Sequence, residues 1–114
     1  MSRFTIYHNP RCTKSRQTLA LLRSHGIEPK VIEYLKNPPS MAVLRELSKK
    51  LGVSPEEMVR AKEFAELKLA GNLNAQQYLQ SMAKYPRTLE RPIVVCGNRA
   101  RIGRPPENVL ELLP

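Results

Sequence analysis

Phe4-Thr5-Ile6-Tyr7, then His8-Asn9-Pro10-Arg11-Cys12, then Thr13-Lys14-Ser15-Arg16-Gln17-Thr18-Leu19-Ala20-Leu21-Leu22, reads as a strand, a break and a helix. Four β-forming residues in a row make the strand. Pro10 ends it, because proline has no N–H to offer a ladder. From Thr13 the pattern turns helical: Leu19, Leu21 and Leu22 fall on or near one face, and Gly26 supplies the stop. Val31 to Tyr34 is the next strand candidate. The opening is therefore β-α-β, which needs parallel strands joined by a right-handed crossover.

Working outward, Pro38-Pro39-Ser40 opens a helix whose Leu44, Leu47 and Leu51 fall at i, i+3 and i+7, closed by Gly52. Ser54-Pro55-Glu56-Glu57 predicts a capping box with proline at the first helical position and a short helix through Arg60. Asn74, with Gln77 three positions on and Leu73 placed to staple onto Tyr78, caps another helix. Ile93 to Cys96, Gly97-Asn98 and Arg99 to Ile102 form the clearest hairpin signal in the chain. Pro105-Pro106-Glu107 opens a last helix carrying Val109, Leu110 and Leu113. The order β-α-β, helices, β-β-α predicts an α/β fold: one thioredoxin-like domain over 1–114 with a mixed sheet, and a helical insertion over 40–85 between its halves.

The chain has 114 residues and 13.0 kDa, the size of one domain. With 41% hydrophobic and 25% charged residues it is ordinary globular material, which excludes wholesale disorder. No apolar run approaches the roughly 18–20 residues that cross a bilayer. The stretch Met1 to His8 lacks the long apolar core of a signal peptide. Cys12 and Cys96 cannot make a disulfide framework and fit a reducing, cytoplasmic compartment.

The net charge of +9 is unevenly spread. Residues 1–30 hold six bases and one acid, residues 84–104 likewise six and one, and the stretch between is nearly balanced. If the fold joins the two basic segments, they focus a positive field that attracts anions. Nucleic acid is a weaker partner class, because the basic residues do not alternate with aromatics as in single-strand binders.

Cys12 lies between a strand end and a helix start. There it meets the N–H groups of the first turn and the positive end of the helix dipole, which stabilise a thiolate. Arg11, Lys14 and Arg16 stand close by in sequence, and cations lower a thiol pKa. A cysteine used as apolar filler would need neither the cations nor the polar loop. The same turn is an anion cradle, with successive N–H groups from Thr13 to Arg16. Ser15 could equally be a capping hydroxyl, and Lys14 and Arg16 solvated charges. His8 could tune the thiol, orient the loop or bond a carbonyl.

The run Tyr7 to Arg16, followed by Thr18-Leu19, resembles the signature loop of the glutaredoxin-dependent arsenate reductase family. So do Arg91-Pro92-Ile93-Val94-Val95, Gly103-Arg104-Pro105-Pro106, and Glu33-Tyr34-Leu35 near Pro38-Pro39. Where well-studied members have Gly-Thr-Ser-Arg after the cysteine, this chain has Thr13-Lys14-Ser15-Arg16, as in a less-characterised branch.

The resemblance implies an oxidoreductase that reduces arsenate to arsenite. Its nucleophile is Cys12, and Arg60, Arg91, Arg104, Ser15 and Arg16 bind the substrate. His8, Asn9, Lys14 and a cis Pro92 support them. Glutathione is the implied co-substrate and glutaredoxin the regenerating partner, with no bound cofactor and no metal. Planar guanidinium groups suit this task, because they grip two oxygens and offset the repulsion between an oxyanion and a thiolate. Cys96, down the strand from Pro92, reads as a packing residue, so the reductant comes from outside. Two other functions share this arrangement. One is a glutathione-dependent thiol oxidoreductase with no arsenate requirement. The other is a redox transcription regulator, which a Cys-x-x-Cys pair would favour and Ser15 disfavours.

Overall fold

The structure, a computed structural model, describes residues 3–68 and 73–113. Met1 and Ser2, part of the stretch read for a signal peptide, lie outside these residues. The chain forms two compact units: one from residues 1–37 and 91–114, the other from residues 38–90.

The first unit contains the strands β1 (Phe4–His8), β2 (Lys30–Glu33), β3 (Ile93–Cys96) and β4 (Arg99–Ile102). They form one mixed sheet in the order β2-β1-β3-β4. β1 runs parallel to β2, pairing His8 with Glu33, and antiparallel to β3, pairing Tyr7 with Ile93. The parallel pair is joined by helix α1 (Thr13–Ser24), as the opening β-α-β pattern requires. Gly97, at φ +62, turns β3 into β4.

One face of the sheet is apolar because β1 alternates: Phe4, Ile6 and His8 are buried while Thr5 and Tyr7 are only partly so. Phe4, Ile6 and Val94 pack there with Leu22 of α1 and with Val109 and Leu112 near the C-terminus. Each such side chain contributes about 1.5–3 kcal/mol relative to exposure. Cys96 is partly buried and packs against this cluster.

The segment expected as a last α-helix is a 3-10 helix over Pro106–Leu112. Its buried residues are Pro106, Val109 and Leu112, a spacing of three that fits three residues per turn. Leu110 and Leu113, expected on the apolar face, are only partly buried.

The second unit contains α2 (Met41–Leu51), α3 (Ala61–Glu66) and α4 (Ala75–Lys84). Ser40 caps α2 by accepting from Val43 N–H, and Gly52 closes it at φ +72. Asn74 and Gln77 make the reciprocal capping box of α4. The box expected at Ser54 does not form. Pro55–Met58 is a single 3-10 turn with no side-chain cap. Its first bond, from Glu57 N–H, goes to the Ser54 carbonyl. The turn ends before Arg60, because Val59 is extended and bridges to Leu89.

Candidate active site

Cys12 is the partly buried N-cap residue of α1, with extended backbone. The loop that delivers it is tightly tied. Cys12 N–H donates to the Asn9 carbonyl at 3.0 Å, and Arg11 N–H donates to Asn9 Oδ1 at 3.0 Å. The Arg16 guanidinium folds back over the loop, donating to the Pro10 carbonyl at 2.9 Å and to Thr13 Oγ1 at 3.2 Å. Ser15 is fully buried; its Oγ takes the Asn9 N–H at 3.0 Å and lies 2.6 Å from His8 Nδ1. The Ser15 hydroxyl and the Arg16 guanidinium thus hold the loop. Lys14 is exposed.

Two arginines reach the sulfur from the other half of this unit. Arg104 Nη2 lies 3.6 Å from Cys12 Sγ, and Arg104 Nε donates to the Arg91 carbonyl at 2.8 Å. Arg91 is buried, and its side chain also hydrogen-bonds the sulfur. The Arg91–Pro92 peptide is cis, as is Arg104–Pro105. Burial pushes the Cys12 thiol up. The N–H groups of Ser15 and Lys14, the Arg104 charge and the Arg91 hydrogen bond pull it down, and the net is below the ordinary thiol value.

Burial lowers the His8 imidazole; the Glu33 carboxylate opposes this, and Arg23 and Arg16 add to the lowering. His8 therefore favours its neutral form. Its hydrogen-bond partner is Ser15 Oγ, not the sulfur. Arg60 belongs to the other unit, where it caps α3, pairs with Glu63 at 3.3 Å and donates its N–H to the Thr88 carbonyl.

Two residues outside the sequence-predicted set shape the site. Gly103 N–H donates to the Pro92 carbonyl at 2.9 Å. Thr18 Oγ1, buried on α1, donates to the Lys14 carbonyl at 2.8 Å and meets the Gly103 carbonyl at 3.5 Å. A Cβ on Gly103 would stand 2.6 Å from Thr18 Oγ1 and 2.9 Å from Pro92 Cγ. In the sequence both fall within stretches that carry the family resemblance, Thr18-Leu19 and Gly103-Arg104-Pro105-Pro106, with nothing there to show that the two meet.

A thiol poised at a helix N-terminus and contacted by two guanidinium groups can attack an electrophilic oxyanion. Comparison with known proteins agrees in kind: the ArsC family matches residues 7–112. The chain belongs to that family. It is similar to the uncharacterized protein YfgD of Escherichia coli, at 52% identity over 112 residues, 95% of this chain and 94% of that one. It is also similar to the arsenate reductase of Rhizobium meliloti, at 45% identity over 113 residues, 96% of this chain and 81% of that protein. Among solved structures, the arsenate reductase from Vibrio cholerae matches with a TM-score of 0.92 at 48% identity, covering 96% of this chain and 97% of that one. The ArsC-family chain has the thioredoxin-like α/β fold that its element order predicts.

Among the described residues no group of His, Cys, Asp or Glu is arranged to hold a metal ion. No helix among them is long and apolar enough to cross a membrane.

Proposed function

We propose that the chain is an arsenate reductase that works through a Cys12–arsenate adduct resolved by glutathione and glutaredoxin. The observation that carries this is the Cys12 sulfur at the head of α1 with Arg104 Nη2 at 3.6 Å. The Cys12 thiolate attacks As(V); the S–As bond forms and a protonated arsenate oxygen leaves as water. Arg91 and Arg104 offset the repulsion between thiolate and oxyanion and stabilise charge on the departing oxygen. The glutathione thiolate then attacks Cys12 Sγ. An S–S bond forms, the S–As bond breaks, and arsenic keeps the bonding pair and leaves as As(III) arsenite. The two sulfurs have supplied the two electrons. Glutaredoxin's thiolate takes the glutathione sulfur, and Cys12 departs as thiolate. Such reductants suit a reducing compartment such as the cytoplasm.

The test is NADPH oxidation coupled through glutathione reductase and glutaredoxin, with and without arsenate, on the parent chain and Cys12→Ser. Oxidation that needs both arsenate and Cys12 supports the proposal. Turnover of a glutathione mixed disulfide with no response to arsenate would replace it by the thiol oxidoreductase reading.

A further inference from the structure

The sheet order places the Cys12 loop between two different neighbours. The loop follows the C-terminal end of β1. On one side stands β3, preceded by Arg91 and Pro92 and paired to β4, which leads to Arg104. On the other stands the edge strand β2, whose Glu33 pairs with His8. The arginines occupy the β3 flank. The β2 flank holds a groove of about 390 Å³, lined by His8, Pro10, Arg11, Glu33, Leu35 and Lys36 together with Asn9. That volume lies in the roughly 300–1,000 Å³ range of small-molecule sites. The groove lies beyond the carboxyl ends of the parallel pair β1 and β2, between the segments that follow them.

The lining is mostly apolar surface with a few polar groups set into it. Ser15 Oγ already accepts from Asn9 N–H, and its only other partner among the described residues is His8 Nδ1. A fully buried hydroxyl must donate somewhere, so its hydrogen goes to Nδ1, and the neutral ring carries its proton on Nε2. His8 is 6% exposed, and Nε2 has no partner among the described residues. Arg11 and Lys36 add two cations at the rim, Glu33 one carboxylate beside Lys36 at 3.6 Å, and Leu35 an exposed apolar wall.

We propose that this groove seats the attacking thiol as a short peptide with two carboxylates and one ammonium, the chemistry of glutathione. The proposal rests on the reading that such a thiol attacks Cys12. Arg11, Lys36 and His8 Nε2–H take the carboxylates and backbone carbonyls; Glu33 takes the ammonium; Leu35 covers the peptide stem. The oxyanion and the thiol thus approach the sulfur from opposite flanks and do not compete for the same arginines.

The test avoids arsenate. The Cys12 thiol is converted to a mixed disulfide with 5-thio-2-nitrobenzoate, and release of the chromophore is followed with glutathione and with 2-mercaptoethanol, compared at equal thiolate concentration. Glutathione is expected to saturate, and Lys36→Glu to slow it about tenfold, the effect of one lost charged contact, while leaving 2-mercaptoethanol unchanged. Leu35→Asp should act in the same direction. Amide shifts at residues 8–11 and 33–36 on adding S-methylglutathione give a readout free of chemistry. Equal rates for the two thiols in both variants, or shifts elsewhere, overturn the groove. Loss of the glutaredoxin step alone overturns it too, assigning the face to a protein partner. A chain that passes this test yet ignores arsenate refutes the proposed reductase activity and leaves the groove standing.

Discussion

Replacing Gly103 by alanine tests the packing that aims the arginines. The added methyl would meet Thr18 Oγ1 at 2.6 Å and Pro92 Cγ at 2.9 Å, both well inside the 3.4 Å at which ordinary contact begins. Neither neighbour yields easily. Thr18 is β-branched, buried in α1 and bonded to the Lys14 carbonyl, and Pro92 is a closed, buried ring. Overpacking of this kind costs about 1–3 kcal/mol. In a unit of this size each kcal/mol lowers Tm by roughly 4–8 °C. The relieving movement separates α1 from the Pro92 segment, and with it Cys12 from Arg104, the next residue along. The variant should therefore melt several degrees lower and titrate its Cys12 thiol at higher pH than the parent. Circular dichroism melts and ultraviolet absorbance of the thiolate read the two effects. A melting midpoint within a degree of the parent, with an unmoved thiol titration, would refute the reasoning.

Arg104→Met removes a charge that favours the thiolate, so the Cys12 pKa rises and alkylation by iodoacetamide slows at neutral pH. Overlapping pH–rate profiles for parent and variant would contradict this. The folded His8 pKa lies below its ordinary 6.5, so the unfolded chain binds more protons as pH falls through that value, and stability drops from there toward the lower folded pKa. His8→Asn should flatten this acid-side loss, as read from urea midpoints between neutral pH and the acid side of the His range. Asn74→Ala removes one half of the α4 capping box and should cost about 1 kcal/mol, checked by denaturant unfolding, without altering the Cys12 titration.

Local chemistry was open to reading from the chain itself. Asn74 with Gln77, Ser40 with Gly52, and the hairpin around Gly97-Asn98 each complete their structure within a few residues. Cys12 at the head of α1 belongs with them, because its partner N–H groups lie in the next turn. Ser54 misled because its motif matches a helix start while the chain there makes only one 3-10 turn. The final helix misled because leucines at Leu110 and Leu113 suit an α period, whereas packing selected the three-residue spacing of Pro106, Val109 and Leu112. Ser15 and Arg16 read from the chain as anion ligands or as a cap and a solvated charge; their hydrogen bonds with His8, Asn9, Pro10 and Thr13 exist only in the folded loop. The spacing of Gly103 from Thr18 has no local signature at all, since it arises between segments remote in sequence.

The bond from Arg104 Nε to the Arg91 carbonyl has a consequence for what this position tolerates. One nitrogen anchors the side chain to main chain while another, on the same rigid plane, faces the sulfur. Lysine keeps the positive charge but lacks the rigid fork, so it would have to serve both the tether and the thiolate from one nitrogen on a flexible stem. Trimming the Arg91 side chain, by contrast, leaves the carbonyl that steadies its neighbour in place. The pair is thus lopsided: one arginine can be shortened without unmooring the other, while the other is held in place only by its own forked head.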